Sequence, residues 1–266
     1  MIIDSKHFPR IITGAVLIFI LVVALALSGP YLFALLLLFT LVGLWEFYSM
    51  FWPNHANLGG RILGVVLGGL ILAATWHHPD NLVPAIGAAT LALACTFLFS
   101  WAKDDTHRFT EVAVLGAGIL YVPLLLMPAM WLSLPEQCLL LCIPAVSDTV
   151  AYFVGSRFGK HKIWPKVSPK KSVEGSIAGL VAAMLVSLGF GLSLGNGQLG
   201  SFLLLGLALG IMAQLGDFFE SALKRSRSVK DSGKILPGHG GILDRVDSLL
   251  FVIPSYAIAT SFWTFF

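Results

Sequence analysis

Nine apolar runs separated by short polar segments organise this chain: 11–27, 31–50, 62–75, 82–99, 112–130, 137–154, 176–194, 201–219 and 249–266. Most approach the roughly 20 residues that a helix needs to cross a bilayer. Run 62–75 is short and needs its flanks to span. Run 112–130 carries Pro123 and Pro128 and is expected to kink. The pattern predicts an all-α, polytopic membrane protein of about nine transmembrane helices. The polar positions orient it. Lys6 and Arg10 precede the first run, Arg61 lies between the second and third, and Lys103 and Arg108 lie between the fourth and fifth. Six basic residues separate the sixth and seventh runs, and six more separate the eighth and ninth. All 17 lysines and arginines thus fall on one side of a nine-span topology. By the positive-inside rule that side is cytoplasmic, with the N-terminus cytoplasmic and the C-terminus on the far side.

Composition agrees. The 266 residues are 57% hydrophobic and 12% charged, against about 25% charged in soluble domains. The net charge of +3 implies no nucleic-acid partner, because the cations sit between spans. The first apolar run has no small-residue cleavage site, so no cleavable signal is expected. Cys95, Cys138 and Cys142 fall in apolar runs without a four-ligand zinc pattern and read as packing thiols. With no internal repeat and no soluble insert, the chain reads as one membrane-embedded domain, 1–266. Helices of 1–134 serve packing and lipid access, and 135–266 carries the catalytic helices and loops. Gly60, Gly64 and Gly68 form a small-residue ridge suited to close helix contact. Trp45, Trp101, Trp131 and Trp263 lie near span ends, as interfacial belts predict.

The departures from apolarity hold the chemistry. Glu46, Asp148, Asp217 and Glu220 lie within or at the ends of runs, where an ionised carboxylate costs up to about 2.5–3.5 kcal/mol. For Glu46 and Glu220 a structural ion pair and a functional role both stay open; Asp148 and Asp217 favour function. The eighth run continues outward as helix, placing Asp217, Ser221 and Lys224 on one face. Residues 236–241, Leu-Pro-Gly-His-Gly-Gly, bar a regular helix and expose backbone N–H groups suited to a phosphate. Asp244 and Asp247 follow, sharing a face with Ser248. Either alone reads as a helix cap; with Asp217 they read as carboxylates for Mg2+, which takes one or two together with substrate phosphates. Between the sixth and seventh runs, Arg157, Gly159, Lys160 and the segment 167–175, Val-Ser-Pro-Lys-Lys-Ser-Val-Glu-Gly, look like a second wall near Ser147-Asp148-Thr149. Residues 155–160 lack the spacing and hydroxyl of a P-loop. Neither HExxH nor GxSxG occurs, and Asp244 and Asp247 lack the wide spacing of CDP-alcohol phosphotransferases.

Ser221, Lys224-Arg225, Lys230-Asp231, Pro237, His239-Gly240-Gly241, Asp244-Arg245 and Asp247 together resemble the C-terminal signature of the phosphatidate cytidylyltransferase (CDP-diacylglycerol synthase) family. Residues 147–175 resemble its middle segment, with Ser172 for the usual threonine and Val173 for a frequent aromatic. Arg10 to Gly14 and Trp45-Glu46 are weaker echoes. The resemblance implies that CTP and phosphatidic acid yield CDP-diacylglycerol and pyrophosphate in phospholipid biosynthesis, by metal-assisted in-line attack. The active site would face the cytoplasm from a bacterial inner membrane. The catalytic set becomes Asp217, Lys224, Asp244 and Asp247, with Asp217, Asp244 and Asp247 around Mg2+ and room for a second cation. Ser221, Arg225, Lys230, His239, Gly240, Gly241, Arg245, Lys170, Lys171 and Asp148 complete substrate binding, Asp148 as a further metal or outer group. His239 holds a phosphate or orders its loop; both readings stand. The acyl chains would lie among membrane lipids, and the resemblance suggests a homodimer. A sister CTP-dependent lipid enzyme and a transporter are the alternatives. The intact 221–247 signature argues against a lipid kinase. Charges gathered at helix ends, without repeats, argue against a transporter.

Overall fold

A computed structural model describes residues 8–54, 56–103, 109–236 and 240–266, with side chains from Thr13 onward. Among these residues the chain is helical, with two isolated β-bridges, Lys162 to Ser172 and Leu236 to Gly240. The helices are α1 (Phe8–Leu27), α2 (Gly29–Phe51), α3 (Leu58–Trp76), α4 (Leu82–Lys103), α5 (Phe109–Tyr121), α6 (Pro123–Leu126), α7 (Leu134–Phe158), α8 (Val173–Leu194), α9 (Leu199–Ser226), α10 (Leu243–Val246) and α11 (Leu249–Thr260). Among the described residues, seven helical stretches are long and apolar enough to cross a membrane. The protein is a membrane protein.

Two runs depart from a continuous helix, the fifth where its prolines predict a kink and the ninth against expectation. The fifth run breaks at Pro123 into α5, the single turn of α6 and a 3-10 stretch, Met127–Trp131, because proline cannot donate to the preceding turn. The ninth run is helical only through Thr260. Twelve residues rise about 18 Å, short of a span of about 30 Å. The remaining residues return so that the Phe265 carbonyl accepts the Asn196 N–H at 2.9 Å, with the Phe265 ring against Phe202.

The chain packs as two compact units. The first comprises residues up to Met130 together with Asp231–Asp244. Its centre is Tyr48 of α2, fully buried, whose hydroxyl donates to the Leu115 carbonyl at 2.8 Å. The ring occupies the space where side chains at Gly64 and Gly118 would stand: a β-carbon there would lie 2.6 Å and 2.7 Å from its hydroxyl oxygen. The glycine ridge of α3 is therefore filled from within the same chain.

The second unit comprises Trp131–Lys230 and Arg245–Phe266. Helices α7 and α8 pack closely, and glycines make that possible. A β-carbon at Gly175 would lie 2.6 Å from the Ala151 carbonyl, and one at Gly179 would lie 2.9 Å from the Ser147 carbonyl. Helix α9 lies against α8, where Gln214 donates to the Ser176 carbonyl at 3.0 Å. Its 28 residues rise about 42 Å, longer than the hydrocarbon core of about 30 Å.

Candidate active site

Within the second unit, the ends of α7 and α9 and the start of α8 surround a cavity of about 650 Å3 lined by Asp148, Lys170, Lys171, Ser172 and Asp217, among others. That volume suits a ligand larger than a metabolite fragment. Its floor is the α7–α8 contact. Ala151 and Gly155 recur along one face of α7, with Gly159 just past its end, and a β-carbon at Gly155 would stand 2.9 Å from the Ser172 hydroxyl.

The loop joining α7 to α8 is closed by its own polar groups. Ser172 caps α8 by accepting the Gly175 N–H at 3.2 Å. The Glu174 carboxylate accepts the N–H groups of Lys160 and His161 at 3.1 and 3.2 Å, and its Oε1 lies 2.6 Å from His161 Nδ1. Val173 N–H donates to the His161 carbonyl at 2.8 Å. This closure holds Lys170 and Lys171 at the cavity. Lys171 forms an ion pair with Asp217, and its ammonium stands 4.7 Å from the Phe218 ring centre.

Asp217 is placed by its neighbour Gly216, where a β-carbon would lie 2.6 Å from the Asp247 carbonyl. Helix α9 thus touches the 247–248 turn directly, bringing Asp217 and Asp247 together. Ser221 donates to Asp217 Oδ1 at 3.2 Å, so the predicted shared face is realised for these two residues. Asp247 accepts the Ser248 N–H at 2.7 Å. Burial, reinforced by the Asp217 carboxylate, pushes Asp247 up to about 7. A carboxylate held so high beside another carboxylate gains most from a cation.

The other predicted residues divide. Lys224 is buried and pairs with fully buried Glu220 one turn away. Arg225 is exposed and donates to the Val229 carbonyl at 3.0 Å; Lys230 and Arg245 are exposed. Gly240, Gly241 and Asp244 belong to the first unit. There the Asp244 carboxylate accepts the N–H groups of Ser232 at 3.0 Å and Gly241 at 2.8 Å, and Gly240 adopts the left-handed φ of +80°. His239 lies outside the described residues.

Among the described residues no three His, Cys, Asp or Glu side chains converge on one metal position. The donor chemistry fits Mg2+ through the two adjacent carboxylates of Asp217 and Asp247, with phosphates to complete the shell. Sequence reasoning left Glu46 and Glu220 without a role and missed Glu174 as the closure of the α7–α8 loop. The Glu220–Lys224 spacing of i, i+4 was the readable signal for the first pair.

Residues 8–263 match the sequence profile of the cytidylyltransferase family. The chain belongs to that family. The cytidylyltransferase relatives include the phosphatidate cytidylyltransferase of Staphylococcus aureus (strain COL), 33% identical over 256 residues, covering 92% of this chain and 95% of the relative. The corresponding proteins of Staphylococcus epidermidis (strain ATCC 35984) and Staphylococcus saprophyticus are also 33% identical over 92% of this chain and 95% of theirs. This cytidylyltransferase family member is an enzyme of nucleotidyl transfer, and the resemblance read from its signature is the right one.

Proposed function

We propose that this enzyme transfers the cytidylyl group of CTP to phosphatidic acid, producing CDP-diacylglycerol and pyrophosphate at the cytoplasmic face of a bacterial inner membrane. The observation that carries the reading is the cavity in which Lys170, Lys171, Asp148 and Asp217 line one space at the end of membrane helices. Lysine ammoniums receive phosphates, and the carboxylates suit a cation that accompanies them. The relatives' names supply the substrates.

An oxygen of the lipid phosphate attacks the α-phosphorus of CTP. The new P–O bond forms as the bond to the oxygen bridging the β-phosphate breaks, and pyrophosphate departs with that electron pair. Both reactants are anions, so their approach requires neutralisation. Lys170 and Lys171 stand where the phosphates would enter, and Lys171 can exchange its Asp217 partner for a phosphate oxygen. Asp217 and Asp247 would hold Mg2+, which supplies charge neutralisation and orientation of the phosphates. The α7–α8 glycine contact and the Glu174 closure keep both lysines in place, so alignment provides much of the rate.

The test is turnover by the purified full chain in detergent with labelled CTP and Mg2+, with and without phosphatidic acid. Lipid-dependent CDP-diacylglycerol with equimolar pyrophosphate is the expected result. CTP hydrolysis without lipid transfer, or a phosphorylated lipid alcohol, would overturn it.

A further inference from the structure

Glu46 lies near the C-terminal end of α2 and plays no part in the chemistry above. Its side chain is buried, 2% exposed, and forms no ion pair among the described residues. Such a carboxylate in a membrane helix is costly unless it has partners. Its partners come from far along the chain. Oε2 accepts the Leu243 N–H at 2.8 Å and the Ser232 hydroxyl at 3.3 Å.

Two glycines lay backbone directly on this carboxylate. A β-carbon at Gly233 would fall 2.6 Å from the Glu46 carboxyl carbon, and one at Gly241 would fall 2.5 Å from Oε2. Asp244 ties the same two flanks, taking N–H groups from Ser232 and Gly241. Two carboxylates therefore clamp both ends of the signature loop. A buried backbone N–H is costly to leave without its acceptor, so the clamp has the strength to select one loop conformation.

We infer that Glu46 is a positioning residue for the enzyme: from α2 it fixes the flanks of the loop that carries Asp231, Gly240, Gly241 and Asp244. It touches no reacting atom. Its effect is to set where the backbone N–H groups of Gly241 and Leu243 stand. The kinetic part of the inference rests on the cytidylyl-transfer reading; the structural part does not.

The experiment compares Glu46→Ala and Glu46→Gln with the parent in the full chain, measuring amide hydrogen exchange and steady-state kinetics. In Glu46→Ala, exchange at Ser232, Gly241 and Leu243 accelerates about tenfold or more, while amides of α2 keep their protection. The kcat falls about 10- to 100-fold, with KM for phosphatidic acid within about twofold and the melting temperature held. Glu46→Gln, whose amide oxygen can still accept the Leu243 N–H, regains most of the protection and activity. Unchanged exchange at those three amides, or unchanged kcat, in folded Glu46→Ala overturns the inference. Should Glu46→Ala not fold, Gly241→Ala presses a methyl group onto Glu46 and must show the same local acceleration; normal exchange there overturns it equally. Absence of turnover in the parent chain is a failure of the functional reading, and the exchange data still decide the role of Glu46.

Discussion

Replacing Lys224 with methionine removes a buried cation and leaves Glu220 charged with its side chain fully buried. Breaking one member of a buried pair costs about 3–5 kcal/mol, whereas replacing both by apolar groups of similar size is often neutral. At about 2–4 °C per kcal/mol for chains of this size, Lys224→Met lowers the apparent melting temperature in detergent by about 10 °C. Glu220→Leu combined with Lys224→Met returns to within about 3 °C of the parent, a non-additive outcome diagnostic of direct coupling. The assay is thermal unfolding of the parent, both single variants and the double variant, followed by CTP turnover on each. A double variant that is stable but inactive assigns Lys224 a phosphate in addition to Glu220. A single variant as stable as the parent, or a double variant as unstable as the sum of the singles, refutes the buried-pair argument.

Asp247 gives a pH prediction. Its folded value near 7 exceeds the unfolded value near 4, so the folded chain keeps a proton that the unfolded chain has lost. Its contribution to stability is complete below about pH 4 and disappears as the pH rises through about 7. Mg2+ binding has the opposite sign, because it needs the ionised carboxylate. Affinity measured by calorimetry rises about tenfold per pH unit up to about 7 and then levels, and Asp247→Asn flattens the curve; a flat profile in the parent chain contradicts the assignment. Asp244→Asn tests whether that carboxylate orders the loop or binds metal. Ordering predicts kcat lowered about tenfold with an unchanged Mg2+ requirement in a metal titration, whereas a sharply raised requirement restores Asp244 to the ligand set.

Local features were readable from the chain. The apolar runs located the long helices, Pro123 marked the break in the fifth run, and the i, i+4, i+7 spacing placed Ser221 against Asp217. These depend on neighbours within two turns. The helix end at Thr260 was not readable, because apolar composition continues to Phe266 while the backbone returns to Asn196. Asp244 alone ahead of a helix reads as a cap, and beside Asp247 and Asp217 it reads as a ligand; only folding shows Ser232 and Gly241 claiming its oxygens. Lys171 meeting Asp217 and Glu46 meeting Leu243 are non-local pairings for which period and spacing carry no signal. The signature identified the family, but not which residues hold its loops.

The tie between Glu46 and Leu243 spans 197 positions, and this has a consequence during synthesis. At about 5–20 residues per second, α2 waits roughly 10–40 s before the segment that covers its carboxylate is made. During that interval Glu46 sits in a membrane helix without Ser232 or Leu243. A chain arrested before residue 231 keeps that uncovered acid permanently, so an unfinished product differs chemically from a finished one in the membrane. Completion of the signature loop is thus also the step at which the Glu46 carboxyl gains its Ser232 and Leu243 partners.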